Sequence, residues 1–89
     1  MIIESEKDFP ALRTTINNWR RRFPMFKHDV DEIENIIESH IREYSIALVY
    51  YRQSHKKNYL EKAQAEIAAI NAVVAIAEKM QLMAILSQW

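Results

Sequence analysis

Phe9, Leu12, Ile16, Trp19 and Phe23 recur at intervals of three, four, three and four residues. At about 100° per residue this spacing lays them on one narrow stripe and predicts a helix over residues 9–22. Asp8 stands where an N-cap is expected, and Pro10 falls in the first turn, where a missing N–H costs little. Pro24 pushes Phe23 out of the α region and ends the helix.

A second stripe follows: Val30, Ile33, Ile37, Ile41, Tyr44, Leu48 and Tyr51. It fits an arc of roughly 80° and predicts a helix over 29–54, with Asp29 and Glu32 as a capping-box variant. After "SHKKN", Asn58 and Glu61 mark a new start, and a third helix is predicted over 59–87. Lys56 and Lys57 suit the carbonyl end of the second helix. Neither glycine nor proline enforces this break, so a single continuous helix is the rival reading.

The third helix is apolar on more than one side. Ile67, Ile70, Val74 and Ile85 form one ridge, and Val73, Ile76, Met80 and Met83 form another, with alanines between them. The second helix is apolar beyond its stripe too, since Ile46, Val49 and Tyr50 point away from Tyr44, Leu48 and Tyr51. In an antiparallel hairpin both arms are expected to carry this surplus at the same level. Leaving five large aliphatic side chains wet forfeits on the order of 10 kcal/mol, comparable to the whole stability of a small domain.

The expectation is therefore a homodimer, a bundle of paired hairpins joined through Ile46, Val49, Tyr50, Ile67, Ile70, Val73, Ile76, Met80 and Met83. The rival is a three-helix monomer with the first helix wrapped over the second ridge. Asn71, the one polar residue between Ile67 and Ala77, reads as a register-fixing side chain at a helix–helix seam. Trp89 reads as an anchor against a partner subunit.

Composition narrows the fold further. The 89 residues suit a single all-helical domain, and the absence of glycine removes the φ > 0 positions that tight β-turns need. The fold class is all-α: a short N-terminal helix, then a long antiparallel hairpin. Without cysteine there is no disulfide or thiolate metal site, which suits a reducing, cytoplasmic setting. "MIIESEKD" lacks the features of a secretory signal, and Glu78 and Lys79 interrupt the tail's apolar run well short of the ~20 residues a membrane span needs. Net charge is zero but blocked: +3 over residues 1–28, −5 over 29–43, +3 over 44–62 and −1 beyond.

Candidate chemistry is sparse. Arg13, Arg20, Arg21, Arg22, Lys56 and Lys57 are the cations a nucleic-acid-associated regulator would use, although three consecutive arginines fan over about 200° of a helix. His28, His40 and His55 lack the Glu-x-x-His or His-Glu-x-x-His spacing of metal sites, so no metal or other cofactor is expected. The nucleotide-binding loops and the nucleophile elbow all need glycine, and no catalytic residue is assigned. "LRTTI" (12–16) is similar to the L-R-x-x-I that opens the first helix of chorismate mutases. "NNWRRRF" then stands where that family has regularly spaced Asp, Leu and Arg, and no family follows from it.

The leading functional expectation is a small interaction protein: an adaptor, inhibitor or assembly factor. A nucleic-acid regulator is the alternative, and an enzyme with an intersubunit helical pocket comes third.

Overall fold

The computed structural model describes residues 1–87, and among them there are helices and no strands. Helix α1 spans Phe9–Arg22, α2 spans Lys27–Ser54 and α3 spans Lys57–Ser87. Single 3-10 turns, Glu6–Asp8 and Pro24–Phe26, precede α1 and α2. The bounds of α1 are those its stripe predicts. Helices α2 and α3 each begin two residues before their expected starts at 29 and 59.

The caps differ for local reasons. Asp8 does not cap α1; its Oδ2 accepts from the N–H groups of Glu4 and Ser5, at 2.8 and 3.4 Å, and so closes a capping box on the preceding 3-10 turn. Asp29 does not cap α2 either, because the Pro24–Phe26 turn runs directly into the helix and Asp29 falls inside its first turn. Asn58 likewise lies within α3, not ahead of it.

Between α2 and α3 the chain reverses over His55 and Lys56. His55 adopts the left-handed conformation, φ 55° and ψ 22°, and its N–H reaches Tyr51 O at 2.7 Å. Ser54 Oγ donates to Tyr50 O and accepts from Lys56 N–H at 3.3 Å, tying off the last turn. This histidine supplies the break that glycine or asparagine more often makes, because His tolerates the left-handed region better than most residues. The continuous-helix reading is thereby excluded.

Helices α2 and α3 form the antiparallel hairpin, with Glu43 facing Lys62 at 3.6 Å and His40 Nδ1 facing Glu66 Oε2 at 2.5 Å. Helix α1 runs antiparallel to the first half of α2. Phe9 meets Tyr44 edge-on at 5.5 Å, Arg13 meets Glu38, and Arg20 meets Asp31 and Glu34. The core gathers Leu12, Ile16 and Trp19 from α1, Ile37, Ile41 and Tyr44 from α2, and Ile70 and Val74 from α3. The molecule is elongated, 53 × 18 × 17 Å, because α1 accompanies only part of the hairpin.

One more segment covers α3. Residues ahead of the first 3-10 turn lie along it and bury Ile3. The Asn71 amide grips that residue's main chain in both senses: Oδ1 accepts from Ile3 N–H at 2.7 Å, and Nδ2 donates to Ile3 O at 2.8 Å. Asn71 therefore fastens an extended strap to α3, which corrects the expectation of a polar contact between two helices.

Candidate functional site

Each long helix has a core side and an outer side, and the outer sides of α2 and α3 together make one face of the molecule. On α2 the inward arc is centred on Ile37, Ile41 and Tyr44, all buried. Ile46 and Tyr50 project from the opposite side, with Ile36 at the edge toward α3 and Val49 at the other edge. On α3 the Ile70–Val74–Ala77 side is buried, while Ile76, Met80 and Met83 project outward. Helix α1 and the Ile3 strap both lie on the other side of the hairpin.

The two ridges expected on α3 separate cleanly. Ile70 and Val74 are fully enclosed, and Ile67 and Ile85 are half-buried beside them. The second ridge is left open, apart from Val73, which packs against the core. Of the nine residues expected at a dimer interface, six stand in solvent: Ile46, Val49, Tyr50, Ile76, Met80 and Met83 are between 41% and 61% exposed. Ile70, at 0%, is wholly surrounded by its own chain, and Ile67 and Val73 are mostly so.

The exposed groups do not lie at one level, as the sequence pattern led us to expect. The His40–Glu66 and Glu43–Lys62 pairs set the register, placing Ile46 beside Leu60 and Ile76 beside Val30. At 1.5 Å per residue the two groups are about 24 Å apart along the bundle. The surplus of α2 lies near the hairpin loop and that of α3 near the far end. Ile36 belongs to the same face and was not anticipated. The doublet Ile36–Ile37 holds the signal, because only one of two adjacent residues can enter a narrow helical stripe.

Near the loop the α2 group lines a shallow groove with Ser45 and Gln53, and Tyr50 stacks on Tyr59 at a 5.3 Å centroid distance. Between the two groups the face carries Ile36, the small side chains of Ser39, Ala65, Ala68 and Ala72, and the Glu43–Lys62 ion pair. Trp89, expected to anchor against a partner, lies outside the described residues.

The candidate nucleic-acid residues are placed apart. Arg13 forks onto Glu38, with Nε–Oε1 at 2.8 Å and Nη2–Oε2 at 3.1 Å. This pairing raises the Arg13 pKa and holds the Glu38 carboxyl below its usual range. Arg20 bridges Asp31 and Glu34 at 2.9 and 3.1 Å, and the hydrogen bond to Asp31 is the main cause of its raised pKa. Arg21 bonds Asn18, and Arg22 lies over the Phe23 ring at 5.5 Å. Lys56 and Lys57 sit at the hairpin loop, the full length of α2 away.

A cavity of about 60 Å³ lies among Trp19, Phe23, Phe26, Val30, Ile33 and Met80. It is far below the ~300 Å³ at which small-molecule sites begin. Among the described residues no cluster of three or more His, Asp or Glu side chains is arranged to hold a metal ion. No described helix is long and apolar enough to cross a membrane. No protein-family model, no curated protein and no solved structure matches this chain.

Proposed function

We propose that this chain is a small helical interaction protein, an adaptor, inhibitor or assembly factor, that works as a homodimer through the outer face of α2 and α3. One observation carries the reading: six large apolar side chains from two helices, Ile36, Ile46, Tyr50, Ile76, Met80 and Met83, stand in solvent on a single face, with Val49 at its edge. Fully burying each is worth about 1.5–3 kcal/mol, so an uncovered face forgoes stabilisation comparable to the net stability of a small domain. Faces of this kind usually mark interfaces. A cysteine-free chain suits the reducing cytoplasm, where we place its action.

The ion pairs count against the nucleic-acid alternative. Arg13 and Arg20 are engaged by carboxylates of α2, and the remaining cations divide between two ends of an elongated molecule. Polyanion binding needs several cations on one surface to release counterions together.

Light scattering across a dilution series tests the proposal. The wild-type chain is expected to show twice the 10.6 kDa chain mass at micromolar concentration. Ile76→Lys with Met80→Lys should give the single-chain mass while keeping its helical circular dichroism. A wild-type chain that stays at the single-chain mass into the millimolar range overturns the homodimer.

A further inference from the structure

Resting on that dimer, we infer how its two copies are oriented: the Ile46–Val49–Tyr50 group of one copy seats on the Ile76–Met80–Met83 group of the other, and the same contact is made twice. Two groups on one face are exchanged by a two-fold axis that lies in that face, bisecting and perpendicular to the line between them. A two-fold interface must be self-complementary, and this axis makes it so. The copies then run roughly antiparallel, with long axes crossing.

Three features favour the exchange over a dimer that stacks each group on its own copy. The first is shape. Large side chains occupy both ends of the face, and between them Ile36 lies with the small Ser39, Ala65, Ala68 and Ala72 near the axis, where the Ile36 side chains of the two copies come together. A face of 53 × 18 Å offers on the order of 900 Å², against the ~800 Å² per partner that stable interfaces bury. The second is side-chain chemistry. Ile46, Val49 and Tyr50 are stiff, whereas Met80 and Met83 are adaptable, and thioether sulfur packs favourably against an aromatic ring.

The third is charge. The loop end carries Arg52, Lys56, Lys57 and Lys62, and residues 44–62 sum to +3. Stacking like ends brings two such blocks together. The exchange instead sets each beside the partner's α2 start, where Asp29 and Glu32 are exposed with no ion pair among the described residues, while Arg20, Arg21 and Arg22 at that end belong to α1 on the other side of the hairpin. On the same face Lys79 comes toward the level of the partner's Glu61.

The native chain has no cysteine, so disulfide trapping reads out the orientation directly. Positions 50 and 80 are about 36 Å apart along one molecule, far beyond the ~7 Å limit for a disulfide, so a 50–80 bond must join two chains. Tyr50→Cys and Met80→Cys are each prepared and oxidised mildly, alone and as an equal mixture. The exchange predicts about ten-fold more covalent dimer from the mixture than from either variant alone. Ile46→Cys with Ile76→Cys, about 24 Å apart along one molecule, is the second pair and should behave alike.

Self-crosslinking of Tyr50→Cys alone, or no crosslinking by either pair, overturns the exchange. Light scattering on the unmodified chain separates the two failures. A dimer mass without the 50–80 bond sinks the orientation alone, and a single-chain mass sinks the homodimer with it.

Discussion

His55 is the residue on which the hairpin turns, and it stands in a region that costs a side chain with a Cβ roughly 1–2 kcal/mol. Its ring recovers part of this against Tyr51, edge-on at 6.1 Å. Glycine occupies the same φ and ψ without the clash, so His55→Gly should raise unfolding stability by about 0.5–1 kcal/mol in urea titration, with no change of fold. Asn71 is the opposite case, a side chain that answers both polar groups of Ile3 at once. Asn71→Leu keeps the volume and strands that N–H and C=O, so a loss of about 1–3 kcal/mol is expected. Because Ile3→Ala removes the same strap by a different route, the two losses should be well short of additive in a double-mutant cycle. The Arg13–Glu38 fork makes a pH-dependent contribution. The Glu38 pKa is lowered chiefly by its hydrogen bond from Arg13, so the pair's stabilisation is present above the unfolded carboxyl value, near ~4.3. It is lost as pH falls through the lower folded value. Both side chains are more than a third exposed to water, so the effect is at most about 1 kcal/mol. Melting curves of wild type and Glu38→Gln should differ at pH 7 and converge on acidification below pH ~4.

At the scale of elements, periodicity proved a better guide than capping. The Phe9–Trp19 stripe is unambiguous, and the proline after Phe23 leaves α1 only one place to stop, so its bounds were legible residue by residue. The caps were not: Asp8 serves the turn ahead of α1, bonding backward to Glu4 and Ser5, and Asp29 and Asn58 fall inside helices that start before them. The role of Asn71 was hidden for a different reason: its partner is 68 residues away in an extended segment without periodicity. What the pattern did reveal is the division of α3 into two ridges. It could not set their level against the exposed side of α2, since that depends on register, and register is fixed by contacts such as His40–Glu66. The doublet on α2 tests the division directly. Ile37 is fully buried, so Ile37→Ala should cost about 2–5 kcal/mol at any protein concentration. Ile36 stands on the outer face, and Ile36→Ala should change stability by less than about 1 kcal/mol in dilute solution and weaken self-association instead.

For the molecule as a whole, the decisive asymmetry is where α1 stops. Its contacts with α2 run from Tyr44 back to Asp31, so one half of the hairpin is a three-helix body and the other half is two helices with little beside them. The two-helix end holds Leu48, Tyr51 and Leu60, all only half-buried, and its loop turns on a conformation unfavourable for His55. Local opening follows burial, and segments with few enclosed apolar contacts exchange their amides through small, frequent openings. In dilute solution the amides of residues 48–54 and 58–62 should therefore exchange much faster than those of 37–44 and 70–77, whose protection should approach that of global unfolding. Covering the outer face changes this. The α2 group at the loop end lies under the partner's α3 group in the proposed dimer, so raising the concentration should slow exchange at residues 46–54 while leaving the already closed three-helix half almost unchanged. A uniform slowing over the entire chain would instead show that the two halves open as one unit, with the second copy merely stabilising the fold. Slowing confined to residues 76–83 would show that the loop end stays uncovered. Hydrogen exchange followed by mass spectrometry at two concentrations separates these outcomes, because the peptides around Ile46 and around Ile76 belong to different helices and opposite ends.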